Sequence, residues 1–225
     1  MVFKVAVITV DDLKKDHEVE VYHRCSTEYL GKLGYTEHGR RHATLVSGLA
    51  RKILADLDYG ERDCELAAIA GYIHDIANLV NRYNHGGNGA MMAYIILNRL
   101  GMTPEEIALV VSAIGNHEEE RGNAINHVAS ALILADKSDV HRSRVTHTDF
   151  AKFEIHDRVN YAAEKSEILV DKAGKTVTLK LTIDTKICPL MEYFEIFLDR
   201  MLMCQRAAAF LGCSFGLVIN DTKLL

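Results

Sequence analysis

Glu65-Leu-Ala-Ala-Ile-Ala-Gly-Tyr-Ile-His-Asp-Ile-Ala-Asn78 decides how the rest of the chain is read. Residues 65–78 form a predicted helix too apolar to face water, and His74 and Asp75 sit near its end. An imidazole beside a carboxylate is costly to bury unless something offsets the lost hydration. A metal ion does so by binding both groups directly. A His–Asp pair hydrogen-bonded for structural reasons is the alternative, and this stretch alone leaves both open.

The surrounding composition is that of an ordinary globular protein. The 225 residues suffice for one sizeable domain with an appendage, and 48% are hydrophobic against 25% charged. A net charge of −5 argues against a protein that coats nucleic acid, and no stable nucleic-acid partner is expected. The five cysteines, Cys25, Cys64, Cys188, Cys204 and Cys213, show no C-x-x-C spacing. They read as reduced thiols of a cytoplasmic protein. No signal pattern opens the chain, and no apolar run reaches the ~18 residues of a membrane span. Two prolines in the whole chain suit a mainly α protein.

Residues 1–10 are apolar and β-branched and read as a short extended segment. Thr9 and Asp12 resemble a capping box that opens a polar helix running to Leu30, with Gly31 and Gly34 ending it. In the next helix His42, Val46, Leu49 and Ile53 recur at helical spacing, which places His42 on the inward face. His38 lies one turn earlier, at the frayed start. After residue 78 comes a polar, glycine-rich segment, residues 81–89, read as a loop that leads into a helix over 90–100 with His85 at its head. Thr103-Pro-Glu-Glu106 is a helix start with an N-cap, a proline at the first position and a capping glutamate. Ile107, Val110, Ile114 and His117 then share one face. A further apolar helix follows Asn126 and ends in Asp136, which shares a face with Ala129 and Ile133. A carboxylate there needs a partner.

The pattern changes after residue 148. A helix is predicted over 150–166, then strands over 166–170 and Thr176–Ile183 joined by a glycine turn at 171–175. A long helix over 189–211 carries Met191, Phe194, Leu198, Met201 and Ala208 on one side, and Phe215, Leu217 and Ile219 mark a last strand. The predicted organisation is an N-terminal segment (1–35), a metal-binding helical core (36–148) and a small C-terminal α+β appendage (149–225). The appendage could pack on the core, form a homodimer interface, or close one side of a site.

Ligand-type residues thus fall at apolar helix ends or adjoining polar loops in five places: His42, His74-Asp75, His85, His117 and Asp136. Bundles build metal sites from such inward-facing side chains. The order His, His-Asp, Asp, within apolar helices over residues 36–145, resembles the HD superfamily of metal-dependent phosphohydrolases. The specific pieces are Tyr72-Ile-His-Asp-Ile76 and Leu134-Ala-Asp-Lys137. His156-Asp157 is a second such pair without the apolar approach, and reads as a helix cap or surface pair.

His85 and His117 are similar in position to the extra ligands of the dinuclear branch, which includes HD-type diadenosine tetraphosphate hydrolases and, more distantly, HD-GYP phosphodiesterases. The resemblance implies an HD-type helical bundle in which His42, His74, Asp75 and Asp136 hold one ion. Asp75 would bridge to a second held by His85 and His117. Iron or manganese suits such ligands, with zinc and magnesium open. It implies hydrolysis of a phosphorylated small molecule, a nucleotide by expectation, through metal-activated water that Asp75 would orient. Many relatives carry lysine where this chain has Asn78, so the phosphate clamp is sought elsewhere, at Arg82, Lys137 or Arg142. Asp139 could orient Lys137 or Arg142, or cap a helix. His127, His141 and His147 have no assigned place. An iron-dependent oxygenase and a non-catalytic nucleotide sensor are the competing functions.

Overall fold

A computed structural model describes residues 7–145, 149 and 153–225. Among them are nine α-helices and one four-stranded sheet. The helices are α1 (Val10–Lys15), α2 (His17–Lys32), α3 (Arg40–Asp56), α4 (Glu61–Ile73), α5 (His85–Leu100), α6 (Pro104–Gly115), α7 (His127–Lys137), α8 (Ile155–Ala162) and α9 (Leu190–Phe210). The fold is mainly α, a helical bundle with a small C-terminal appendage of sheet and helix.

Thr9 and Asp12 form the capping box, but the helix they open is short. Asp16 is extended, with φ −75° and ψ 121°, and ends α1. Its carboxylate accepts the Val19 N–H and starts α2, so one predicted helix is two. Gly31 stays helical, and the chain turns at Gly34, where φ is +80°. Of the extended segment expected over 1–10, residues 1–6 lie outside the described residues, and Val10 already belongs to α1.

The central layer is α3, α4 and α7. Helix α4 is buried continuously from Leu66 to Ile73, and α7 from Val128 to Lys137. Each fully buried Leu or Ile contributes roughly 1.5–3 kcal/mol. Helix α4 starts four residues earlier than the apolar run suggests and stops at Ile73, followed by a 3-10 turn over Ile76–Leu79. His74 and Asp75 therefore sit at a break in the helix, where backbone groups leave the helical ladder and side chains can converge. The layer is tight: a Cβ on Gly71 would lie 2.8 Å from Ser47 Cα.

The glycine-rich segment is not a loop. His85, Gly86, Gly87 and Gly89 form the first turns of α5. A Cβ at Gly89 would lie 3.0 Å from the His74 carbonyl oxygen, so this glycine permits a close helix approach rather than flexibility. Thr103 caps α6 as expected. The Glu106 carboxylate is taken by Arg62 across the bundle, at 2.6 and 2.7 Å, instead of completing a cap.

Of the helix predicted over 150–166, residues 150–152 lie outside the described residues, α8 takes Ile155–Ala162, and strand β1 (Ala163–Asp171) already begins at Ala163. Strand β1 pairs antiparallel with β2 (Thr176–Ile183), whose inward residues Val177, Leu179, Leu181 and Ile183 alternate as predicted. Helix α9 then crosses over so that β3 (Ser214–Ile219) runs parallel to β2. A two-residue strand β4 (Thr222–Lys223), which carries no apolar signal, closes the edge. The inward stripe of α9 is Tyr193, Phe197, Met201, Cys204 and Ala208, while Met191 and Leu198 are 76% and 54% exposed. The expected stripe was thus rotated, since Tyr193 and Cys204 are what the bundle covers. All five cysteines are free thiols. No helix among the described residues is long and apolar enough to cross a membrane.

Candidate metal centre

Four imidazoles and two carboxylates meet where α3, α4, α5, α6 and α7 converge. His42 comes from the first turn of α3, His74 and Asp75 from the break after α4, and His85 from the start of α5. His117 follows the end of α6, and Asp136 lies in the last turn of α7. All six are buried, His42 and His74 completely.

They form two groups. In the first, His42 Nε2 lies 3.2 Å from His74 Nε2 and 3.3 Å from Asp136 Oδ1. Asp75 Oδ2 lies 3.7 Å from His42 Nε2 and 3.5 Å from His74 Nε2. In the second, His85 Nε2 and His117 Nε2 are 3.1 Å apart, and Asp75 Oδ1 lies 3.2 and 3.7 Å from them. Asp75 thus turns one oxygen to each group.

The proton positions follow from the other ring nitrogens. Nδ1 of His74, His85 and His117 donates to the carbonyl oxygens of Gly71, Arg82 and Ile114 at 2.9, 2.9 and 2.6 Å. Nδ1 of His42 donates to Asp139 Oδ2 at 2.7 Å. A neutral imidazole carries one proton, so every Nε2 presents a lone pair. Two buried pairs of lone pairs then face each other at 3.1–3.2 Å. That arrangement is repulsive by itself and becomes favourable around a cation, so the donor set fits divalent metal ions. His42, His74 and Asp136, and separately His74, Asp75 and His117, present ligand atoms within 4.8 Å of one another.

With no cation at the centre, the carboxylates are offset by the imidazoles themselves: burial pushes the His74 pKa down, and Asp75 with Asp136 outweigh burial and raise it. Burial pushes the Asp75 carboxyl up, but His74, His117 and His85 outweigh it and hold the group well below the usual range. Burial likewise raises Asp136, and Lys137 with His42 and His74 hold it well below. Lys137 Nζ lies 2.7 Å from Asp136 Oδ2 and 3.0 Å from Glu119 Oε1.

Arg82 stands at the edge of the second group. Its Nη1 donates to Asn78 Oδ1 at 3.1 Å and lies 3.3 Å from His85 Nε2 and 3.8 Å from Asp75 Oδ1. Arg142 is not brought in: it pairs with Glu164 at 3.1 Å and lies over the Tyr161 ring. Asp139 orients neither Lys137 nor Arg142. It holds His42 and takes Arg41 Nη2 at 2.8 Å. His127 stacks on Tyr59 and pairs with Asp63, and His141 caps the 3-10 turn over Arg142–Arg144. His147 lies outside the described residues. Asp157 accepts the Glu154 N–H at 3.2 Å, so the second His-Asp pair caps α8.

Several residues around the centre escaped the sequence reading. Glu118 Oε1 lies 2.5 Å from His85 Nδ1 and accepts the Gly86 N–H at 2.8 Å. Glu119 links Lys137 to Arg200 of α9, which donates from Nε at 3.1 Å. Arg144 is buried and donates to the Asp139 carbonyl. Asp139 stands out in the sequence, but its partner His42 does not follow from its neighbours, and Arg200 carries no local signal.

Residues 38–141 match the family model described as the HD domain. An uncharacterized protein of Methanocaldococcus jannaschii is 29% identical to this chain over an alignment that covers 60% of each. The chain thus spans 60% of that relative's length.

Proposed function

With residues 38–141 as an HD domain, the mark of a superfamily of metal-dependent phosphohydrolases, we propose that this chain hydrolyses a phosphorylated small molecule at a dinuclear metal centre. The observation that carries the reading is Asp75, whose two oxygens each approach a different imidazole pair. His42, His74, Asp136 and Asp75 would hold one ion, and His85, His117 and Asp75 the second. The nitrogen–oxygen donor set without thiolate favours iron or manganese. When bound, such ions act as Lewis acids on phosphoryl oxygen and lower the pKa of water.

The chain's own groups supply orientation and charge. Asp139 and the three carbonyl oxygens fix the imidazoles with Nε2 toward the centre. Lys137 restrains the outer oxygen of Asp136. Asn78 stands where many relatives have lysine, and its amide oxygen instead holds the Arg82 guanidinium beside Asp75. A guanidinium is a bidentate partner for phosphate, so Arg82 takes the place of the missing lysine.

The test is metal analysis of protein purified without chelator, beside a His117→Ala variant. Two ions per chain, falling to one in the variant, with phosphate release from a panel of phosphate esters, is the expected result. A single ion unchanged in the variant removes the dinuclear reading. Turnover that needs dioxygen and releases no phosphate replaces hydrolysis with oxygenation.

A further inference from the structure

A cavity of about 390 Å³ opens beside the centre, walled on one side by Arg82 and Glu119 and on the other by the appendage. Three guanidinium groups line it: Arg82 after α4, Arg144 after α7 and Arg200 on α9. Among the described residues Arg200 makes one hydrogen bond, from Nε to Glu119 at 3.1 Å. Its guanidinium lies over the Phe197 ring, with the guanidinium carbon 4.1 Å from the ring centroid. Both of its Nη groups therefore remain for another acceptor. Arg144 is 4% exposed, and its Nε has no hydrogen-bond partner among the described residues. Burial pushes the Arg144 guanidinium down, Asp139 opposes this, and the charge of Arg200 adds to it. Arg144 is itself held by Asp139, through its carbonyl at 2.8 Å and its carboxylate at 3.8 Å, so the donors left at the cavity are the Nη groups of Arg200, which a bound anion would satisfy.

The outer wall has the opposite character. Glu154, the N-cap of α8, Asp157 and Asn160 of α8, Asp199 of α9 and Glu120 line the same cavity. Carboxylates there suit the hydroxyl or amino donors of a substrate's uncharged part. The volume is at the lower end of the ~300–1,000 Å³ of small-molecule pockets, enough for one sugar or one nucleoside.

We propose that the appendage supplies the substrate pocket: Arg200, with Arg144 and Arg82, binds the phosphate of a monoester whose alcohol part is one polar sugar or nucleoside. Arg200 is on this view the specificity-determining residue contributed from outside the HD domain. The assignment rests on the hydrolase reading above, and the experiment separates the two.

The protein as purified, with its metal, is titrated calorimetrically with inorganic phosphate. The wild type is compared with Arg200→Met, which keeps an unbranched chain of similar length without the charge, with Arg200→Lys, and with Lys52→Met on the exposed face of α3. Loss of charge-assisted hydrogen bonds should weaken phosphate binding about ten-fold in Arg200→Met, less in Arg200→Lys and not at all in Lys52→Met. Metal content per chain should be equal in all four. With a pentose phosphate or a nucleoside monophosphate as substrate, KM should rise about ten-fold while kcat changes less than about three-fold. Should Arg200→Met fail to fold by circular dichroism, Arg82→Met gives the same reading on the same anion. Equal phosphate affinity and KM in wild type and variant overturn the assignment while leaving hydrolysis intact. A dinucleoside tetraphosphate or p-nitrophenyl phosphate turned over better than the sugar esters overturns the pocket's size and polarity. Phosphate binding that depends on Arg200, without release of phosphate from any ester, sinks the hydrolase reading alone.

Discussion

Asp139 accepts a 2.7 Å hydrogen bond from His42 Nδ1 while Arg41 donates to the same carboxylate at 2.8 Å. One buried carboxylate thus sets both the tautomer and the tilt of a candidate ligand ring that lies 97 residues earlier in the chain. Asp139→Asn keeps the shape but can present its amide nitrogen to the ring. Outer partners of this kind change metal affinity by roughly 10–100-fold. A chelator competition should show that loss in the variant; unchanged affinity would mean that the packing of α3 alone orients His42.

Removing the metal should loosen the fold as well as the site. Six buried ligand-type groups converge in the centre, and without a cation the facing Nε2 atoms repel. A ligand at a hundred times its Kd stabilises by about 2.7 kcal/mol. For a chain of this size that is a fall of about 5–10 °C in Tm after chelation. Manganese should restore it. A Tm indifferent to chelator in protein that measurably lost its metal would contradict this account.

Gly71 sets the distance between α3 and α4. Gly71→Ala puts a methyl group 2.8 Å from the Ser47 Cα position, against backbone that cannot turn aside. Overpacking of this sort costs about 1–3 kcal/mol. Urea unfolding should show a lower midpoint with unchanged slope. A stabilised variant, as expected for an ordinary helical Gly→Ala, would show that the two helices can part.

His23 offers a pH signature away from the ligands. Burial, with a smaller contribution from the charge of His74, pushes it down to about 4 from its ordinary 6.5. Its Nε2 lacks a hydrogen-bond partner, and its ring meets Tyr72 edge-on at 5.0 Å. Between those two values the unfolded chain binds the proton and the folded one resists it. The stability is full above about pH 6.5 and falls as pH drops toward 4, by up to about 3 kcal/mol. Unfolding free energies measured at pH 7 and 4.5 should converge in His23→Leu relative to wild type. An identical acid loss in the variant would place the titration elsewhere.

The sequence by itself determined what is local. The Thr9 and Thr103 caps, the apolar length of α4 and α7, and the alternation of β2 are written in neighbouring residues, and each element formed. The ligand-type residues were legible for the same reason: a histidine or aspartate in an apolar helix stands out from its neighbours. Only the tertiary structure decided the rest. Gly86 and Gly89 read as a loop because glycine disfavours a helix, and contact with Ile114 and His74 overrode that preference. The stripe on α9 was misplaced because periodicity says that one side is apolar, not which side a distant bundle will cover. Arg142 and Arg200 are both ordinary surface cations in sequence. One pairs with Glu164 on β1, while the other is carried by α9 to Glu119, 81 residues away, because a side chain's electrostatic partners are set by packing between helices and not by its neighbours along the chain.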